Sequence, residues 1–108
     1  MNSFHGGMNV AAYTASKHGL LGLTRALANE WTGQGIRVNG IAPGWMETDL
    51  TRDLREDAAR NDALLARMPS KSWGTPADLA GAVVYLASDA SAYVSGGFIA
   101  VDGGYLAR

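Results

Sequence analysis

The sequence predicts an α/β fold, a portion of a doubly wound parallel sheet with two strands and three main helices. Apolar residues recur with a helical period in three segments, and two short apolar runs are bounded by Gly and Pro. Because helices join the two strands, we expect them to be parallel and adjacent in one sheet. A two-stranded parallel sheet is too small to bury both of its faces. The 108 residues therefore have the pattern of a piece of a larger domain.

The first helix is expected from about Ala11 to Thr32, after a glycine-containing loop. Large apolar residues at three- and four-residue spacing predict its buried face: Leu20, Leu23, Leu27 and Trp31. Small residues form a second stripe: Ala15, Gly19, Gly22 and Ala26. Because glycine weakens a helix by about 1 kcal/mol relative to alanine, this stripe indicates close approach of a partner helix or the sheet.

A strand is expected at 36–42, closed by Pro43 and Gly44. A second helix is expected from Leu50 to Met68, with an inward face formed by Leu54, Ala58, Leu65 and Met68. The charged face of this helix is interpreted as solvent-exposed surface. It comprises Arg52, Asp53, Arg55, Glu56, Arg60 and Asp62.

The third helix is predicted to begin at Thr75-Pro76-Ala77-Asp78, because threonine can cap a helix and proline suits its first turn. Its inward positions are Leu79, Val83 and Leu86. A second strand at Phe98 to Val101, or 98–102 at its widest, completes the pattern.

Composition excludes several classes of function. The net charge of -1 argues against nucleic acid or an anionic membrane as a partner. No apolar run is long enough to cross a bilayer. There is no cysteine and there are two histidines without an acidic cluster, so no metal site is expected. The start of the chain lacks the pattern of a secretory signal, and a cytoplasmic location is expected.

Tyr13 and Lys17 form the most informative pair for chemistry. Residues four apart on a helix lie on one face, about 5–6 Å apart at Cβ. A nearby ammonium stabilises a phenolate, which lets a phenol exchange protons with a carbonyl or an alcohol. The alternative is a half-buried tyrosine with a lysine extending past it to solvent.

Further motifs occur in a fixed order with this pair. Tyr13–Lys17, Arg37–Asn39, Pro43–Thr48 and Asp102–Gly104 together resemble the short-chain dehydrogenase/reductase family across essentially all 108 residues. The sugar-acid dehydrogenases of that family are similar at further places, namely Asn29–Trp31, 55–69, Trp73-Gly74 and Tyr105–Arg108. The resemblance implies a Rossmann-like fold.

The resemblance also implies roles for individual residues. Tyr13 matches the catalytic acid/base, and Lys17 matches the residue that supports it and hydrogen-bonds the nicotinamide ribose. Pro43 and Gly44 match a cofactor-binding loop at the carboxyl end of a strand, where open α/β sheets bind ligands. Thr48 matches a contact to the nicotinamide carboxamide. A plain turn at 43–44 and a helix N-cap at Thr48 are the structural alternatives.

Other matched residues have alternatives that stay open. Trp45, Met46 and Trp73 match positions that line the substrate pocket, and ordinary core packing is equally consistent with them. His5 could approach a substrate, but a solvated loop histidine is favoured. Asn39 is expected to brace the fold, and Asp102–Gly104 to form a structural turn.

The implied activity is hydride transfer between NAD or NADP and a keto-sugar acid, with NAD favoured by the resemblance. The implied assembly is a homotetramer, without nucleic acid or membrane partners.

The sequence departs from the family pattern at the cofactor-binding half. The family's catalytic serine and asparagine and its glycine-rich turn have no counterpart here. Residues 1–108 are therefore expected to be the C-terminal part of one short-chain dehydrogenase domain, whose dinucleotide-binding half is absent, and to be inactive alone. The alternative is a truncated, non-catalytic fragment that acts at most as an oligomerisation piece.

Overall fold

The computed structural model describes residues 1–107, so the part of the C-terminal resemblance that falls on Arg108 lies outside the described residues. The main elements follow the predicted order of helix, strand, helices and strand, which confirms the α/β fold class. They are α1 (Ala11–Trp31), β1 (Gly40–Pro43), α2 (Arg52–Glu56), α3 (Ala58–Ala66), α4 (Ala80–Ala87) and β2 (Phe98–Val101).

The two strands pair in parallel and are adjacent, as predicted, with Gly40 opposite Phe98 and Pro43 opposite Val101. The first strand is shorter than the predicted 36–42. Its expected first residues are hydrogen-bonded elsewhere, because the Ile36 amide donates to the Trp31 carbonyl at the end of α1. The sheet therefore begins only at residue 40.

Asn39 braces the entrance to β2, as predicted. Its Nδ2 donates to the Val94 carbonyl at 2.8 Å, and its Oδ1 accepts from the Gly97 amide at 3.0 Å. A structural role of the neighbouring Arg37 was not predicted. The Arg37 guanidinium donates to the Leu86 carbonyl, at the end of α4, and to the Ser91 carbonyl. These bonds satisfy carbonyl groups that a helix end leaves without partners.

The single helix predicted from Leu50 to Met68 is wrong in one respect, because it is broken at Asp57. This residue has an extended conformation (φ -81°, ψ 101°), and its carboxylate accepts from the Arg60 amide. Aspartate is a favourable N-cap because it supplies an acceptor to the free amides of a first turn. Ala58 thus opens α3 and is exposed rather than inward-facing. Met68, beyond the helix, is buried as predicted.

The predicted start of the third helix is confirmed. Thr75 and Asp78 form a reciprocal capping box, and a 3₁₀ turn at Pro76–Leu79 leads directly into α4. The Asp78 carboxylate accepts from both the amide and the hydroxyl of Thr75. This cap fixes the segment that follows Trp73.

These hydrogen bonds predict a pH dependence. The hydrogen bond from the Thr75 amide is the larger cause that lowers the pKa of Asp78, and the bond from the Thr75 hydroxyl is the second cause. A carboxyl group whose pKa is lower in the folded state stabilises the fold above its unfolded pKa of about 3.9. That stabilisation is lost as the pH falls through the folded value. We expect NMR titration of the Asp78 carboxyl carbon to give a midpoint below that of free aspartate.

Thr75→Val is the matched variant for this titration. It removes the hydroxyl donor and retains the amide, which is the larger cause of the shift. The midpoint should therefore return only part of the way to the free value. An ordinary aspartate midpoint in the unmodified chain would contradict the prediction.

The predicted buried face of α1 is wrong. Leu20 is 50% exposed and Leu23 is 53% exposed, whereas Thr24 and Ala28 are the buried residues of the helix. The stripe of small residues is also open, since an added Cβ at Gly19 or Gly22 would meet nothing within 4 Å. No element formed by residues 1–107 covers this side of α1, so its apolar residues stay in solvent.

The core is correspondingly small. Among the described residues the buried apolar side chains are Ala28, Ala42, Leu64 and Met68. Val83, predicted to face inward from α4, is 52% exposed. The radius of gyration is 15.6 Å, compared with about 13 Å for a compact domain of this length. Many large apolar side chains of residues 1–107 are therefore exposed, among them Leu20, Leu23 and Val84.

No helix formed by residues 1–107 is long and apolar enough to span a membrane.

Candidate active site

Tyr13 and Lys17 lie on one face of α1, as their spacing predicts. The Lys17 Nζ is 5.2 Å from the centroid of the Tyr13 ring, within the range of a cation–π contact. Tyr13 is 54% exposed. A phenol held beside an ammonium and open to solvent can exchange a proton with a bound carbonyl or alcohol oxygen.

The Pro43-Gly44 loop lies at the carboxyl end of β1, next to the end of β2. The Gly44 amide donates to the Val101 carbonyl at 2.9 Å, which extends the strand ladder by one bond. An added Cβ at Gly44 would lie 2.6 Å from the Asp102 Cα. Only glycine therefore allows the two strand ends to approach so closely.

The amino group of Met1 lies against this loop and donates to the Pro43 carbonyl at 3.3 Å. Burial lowers the pKa of the Met1 amino group, the Asp102 carboxylate opposes this effect, and the Lys17 ammonium adds to it. Gly44 and Asp102 lie side by side at the carboxyl edge of the sheet.

Trp45, Met46 and Trp73 come together around one cavity of about 210 Å³ at this edge. The two indole rings meet edge to face at 6.0 Å, and Met46 pairs with Gly74 in a short parallel bridge. The Trp73 Nε1 donates to the Asn61 Oδ1 at 2.7 Å, which fixes that ring from α3. The three side chains are half-buried, as expected of a cavity wall.

Thr48 does not line this cavity. It caps a 3₁₀ turn at Asp49–Thr51 in a reciprocal capping box with Thr51, and it is exposed. The capping role that was the structural alternative for Thr48 is therefore observed. A contact between Thr48 and a cofactor stays a prediction. The Thr48 carbonyl also accepts from the Arg55 guanidinium, which ties the loop to α2.

Asp102 both stabilises a turn and lines the cavity, and the sequence predicted only the turn. Its carboxylate accepts from the Gly104 and Leu106 amides, each at 2.9 Å, and Gly103 and Gly104 have positive φ angles of 62° and 83°. These bonds confirm the structural turn. Asp102 also lines the cavity beside Trp45. Sequence gave no signal for this second position, because the cavity forms between distant segments.

His5 is not the solvated loop residue that was expected. Its ring is half-buried and lies 5.8 Å from the Tyr105 ring, at a tilt of 39°. Its Nδ1 is 3.1 Å from the Gly6 carbonyl oxygen. Tyr105 approaches because the Asp102–Gly104 turn brings the C-terminal segment back over the sheet edge.

The residues present fit one end of a nicotinamide dinucleotide. Lys17 and the exposed Tyr13 offer a cation and a hydroxyl for the nicotinamide ribose. A pyrophosphate needs a glycine-rich turn between a strand and the N-terminus of a helix. Within residues 1–107, β1 instead continues through Pro43-Gly44 into the loop of Trp45 and Met46. The described segments likewise contain no group of three His, Cys, Asp or Glu residues placed to hold a metal.

This combination of a parallel sheet, a Tyr13/Lys17 pair on the preceding helix and a cavity at the sheet edge agrees with the comparison to known families. A family model described as enoyl-(acyl carrier protein) reductase matches residues 1–106. The chain belongs to the short-chain dehydrogenase/reductase family.

Individual relatives make the comparison more specific. The chain is 56% identical over 108 residues to 2-dehydro-3-deoxy-D-gluconate 5-dehydrogenase of Escherichia coli strain K12, covering 100% of this chain and 43% of that protein. A crystal structure of gluconate 5-dehydrogenase from Burkholderia cenocepacia, in complex with NADP and tartrate, is 40% identical with a TM-score of 0.95. The match covers 99% of this chain and 42% of the Burkholderia chain.

A third similar protein is 4-hydroxyisoleucine dehydrogenase, in a structure complexed with NADH. It is 36% identical with a TM-score of 0.95, and the match covers 99% of this chain and 44% of that one. The chain thus spans less than half the length of the relatives it matches.

Proposed function

We propose that this chain is the C-terminal part of a nicotinamide-dependent oxidoreductase that interconverts a keto-sugar acid and its hydroxy acid. Tyr13 exchanges the proton with the substrate oxygen, and Lys17 stabilises the phenolate and holds the nicotinamide ribose. Pro43, Gly44 and Thr48 contact the nicotinamide end of the cofactor. Trp45, Met46 and Trp73 form the wall of the substrate pocket. The cofactor, NAD or NADP, supplies or accepts the hydride.

The Tyr13/Lys17 contact carries this proposal. Its 5.2 Å geometry gives the phenol a cationic neighbour. Pro43 and Gly44 lie at the carboxyl end of β1, where open α/β folds bind ligands. The keto-sugar acid is proposed from the names of the relatives, of which the Escherichia coli protein is 56% identical. Structures of similar proteins with NADP or NADH support a nicotinamide cofactor.

A second candidate is a non-catalytic piece that associates with other chains. The open apolar face of α1, with Leu20 and Leu23 about half exposed, favours it. The two candidates differ in one measurable respect, since only an oxidoreductase requires Tyr13.

A chimaera tests the proposed activity. Residues 1–108 would replace the matched C-terminal segment of the Escherichia coli relative, whose own upstream part then supplies the missing half of the domain. We expect the purified chimaera to reduce 5-keto-sugar acids with NADH or NADPH, because 56% identity over the whole segment preserves the interfaces. Absorbance of the reduced nicotinamide measures turnover, and NADH and NADPH compared side by side give the cofactor preference.

The control is the unmodified Escherichia coli enzyme assayed with the same substrates. A chimaera that folds, shown by circular dichroism and a cooperative melt, and that binds cofactor without turnover would overturn the proposed function. Turnover of keto sugars without a carboxylate, at the same efficiency as keto-sugar acids, would overturn the proposed substrate class.

A further inference from the structure

We propose that Arg67 binds the carboxylate of the sugar acid, in a site that it forms with His5 and Tyr105. This inference rests on the proposed function, since it assigns one group of the same substrate to three residues of this chain. His5, Arg67 and Tyr105 are called the Arg67 cluster below.

Three distant segments of the chain meet at the Arg67 cluster. Arg67 ends α3, Tyr105 opens the C-terminal 3₁₀ turn, and His5 lies in the loop that precedes α1. The Arg67 guanidinium donates to the Tyr105 hydroxyl at 3.2 Å, and the His5 ring packs on the Tyr105 ring. A phenol is thus held between two side chains that can donate hydrogen bonds to an anion.

The Arg67 cluster adjoins the cavity of the candidate active site. Met68, the residue after Arg67, is buried in the cavity wall, and Ser70 also lines it. The Ser70 amide donates to the Gly103 carbonyl at 3.1 Å, and the Tyr105 amide donates to the Asp102 carbonyl at 3.2 Å. These bonds hold both flanks of the cluster to the carboxyl edge of the sheet, where Trp45 and Trp73 enclose the cavity.

The chemistry of Arg67 favours a carboxylate. Among residues 1–107 the sole salt bridge joins Arg52 and Asp49, so Arg67 has no acidic partner there. One hydrogen bond to a neutral phenol engages one of the five donors of a guanidinium. Arg67 is exposed, so the other N–H donors of its guanidinium are open to solvent. Their planar arrangement matches the two oxygens of a carboxylate in a bidentate pair.

Nearby charged groups are already engaged. The Lys71 ammonium donates to the Ala66 carbonyl at 2.8 Å and closes the end of α3. The Asp102 carboxylate, which would repel an anion, accepts from two backbone amides. Lys17 lies over the Tyr13 ring. Within residues 1–107, Arg67 is thus a cation beside the cavity that is oriented by a neighbour and still has donors to offer.

His5 has a supporting position in the cluster. Its Nε2 is buried and has no hydrogen-bond partner within the described part of the chain, whereas its Nδ1 faces the Gly6 carbonyl. The His5 ring packs on the Tyr105 ring, whereas Arg67 contacts the Tyr105 hydroxyl. His5 is thus a positioning residue for the Tyr105 hydroxyl and, through it, for the guanidinium.

Two ligands that differ only at the acid group test this assignment. D-Gluconate carries a carboxylate where D-glucitol carries a hydroxymethyl group, and the rest of the chain is shared. We expect the chimaera, followed by NMR at low salt, to bind D-gluconate at least about tenfold more tightly than D-glucitol, equivalent to about 1.4 kcal/mol. Arg67→Gln should abolish this preference, and Arg67→Lys should retain part of it.

The matched control is Arg60→Gln, which removes an exposed arginine near the start of α3, the helix that Arg67 follows. It should keep the full preference. A merely structural role of Arg67 would weaken both ligands alike in Arg67→Gln, and that result overturns the inference. So does the absence of D-gluconate binding or of any preference in the chimaera that retains Arg67.

Failure here is distinguishable from failure of the proposed function. An active chimaera whose preference for the acid survives Arg67→Gln contradicts the carboxylate site alone. Selective, Arg67-dependent D-gluconate binding by a chimaera that folds but has no turnover contradicts the oxidoreductase proposal alone.

Discussion

Replacing Tyr13 by Phe in the chimaera is expected to lower kcat by about 10²–10⁴-fold, the usual contribution of a positioned general acid or base. The substitution keeps the ring and its contact with the Lys17 ammonium and removes only the hydroxyl. Because Tyr13 is 54% exposed and its hydroxyl has no hydrogen-bond partner within residues 1–107, the fold should not depend on it. Steady-state kinetics and the melting temperature, measured on the same preparations, separate the two effects.

Tyr93→Phe is the matched control for this experiment. Tyr93 is fully exposed on the loop before β2, and loss of its hydroxyl should leave both kcat and melting temperature unchanged. Lys17→Met should lower kcat as well and also weaken cofactor binding, because the proposed function assigns the ammonium to both the phenolate and the ribose. Retention of normal turnover by Tyr13→Phe would assign the proton exchange to another group.

The 108-residue chain by itself is expected to be barely stable and to have no dehydrogenase activity. Its free energy of unfolding should fall well below the about 5–15 kcal/mol of ordinary native domains. The four buried apolar side chains of residues 1–107 are a small core, and apolar residues of α1 and α4 are exposed to solvent. The free edge of β1 adds unpaired backbone groups that favour aggregation. Activity should be missing because these residues form no pyrophosphate-binding turn.

Calorimetry, dye binding to exposed apolar surface and light scattering test the stability. We expect a broad transition, strong dye binding and association at micromolar concentration. In the chimaera the same residues should melt cooperatively, since the added half covers them. A sharp, concentration-independent melt of a monomer well above room temperature would refute the prediction. Saturable NADH binding with turnover by the isolated chain would refute the inactivity.

A double variant identifies the surface responsible. Leu20→Gln with Leu23→Gln should reduce dye binding and association of the isolated chain, because both side chains are about half exposed there. In the chimaera the same pair should lower the melting temperature, since polar groups buried without partners destabilise a fold. Opposite effects in the two contexts are expected of a face that an additional part of the domain covers.

Local patterns in the sequence determined much of the structure. The spacing of Tyr13 and Lys17 placed them on one helix face, and Thr75 and Asp78 formed the predicted cap. The helices between the strands required a parallel pair, which the register of β1 and β2 confirms. Such features depend on residues a few positions apart or on chain connectivity, so the sequence alone was sufficient for them.

The break at Asp57 shows a limit of periodicity. A continuous apolar period from Leu50 to Met68 predicted one helix, yet a single side chain that caps its own downstream amides divides it. The hydrogen bond from the Arg60 amide to the Asp57 carboxylate competes locally with the helical ladder. An aspartate inside a charged run gave no distinct signal, because its neighbours are also acidic and basic.

The sequence by itself thus determined the fold class, the helix that presents Tyr13 with Lys17, and the glycine at position 44. Tertiary structure alone decided which apolar faces are covered and which distant residues meet. The helical spacing of apolar residues predicted that Leu20 and Leu23 would be buried. Burial needs a partner surface, however, and residues 1–107 provide none for these side chains. The meeting of Arg67 with Tyr105 likewise arises from packing between segments 38 positions apart, a relation that no local pattern encodes.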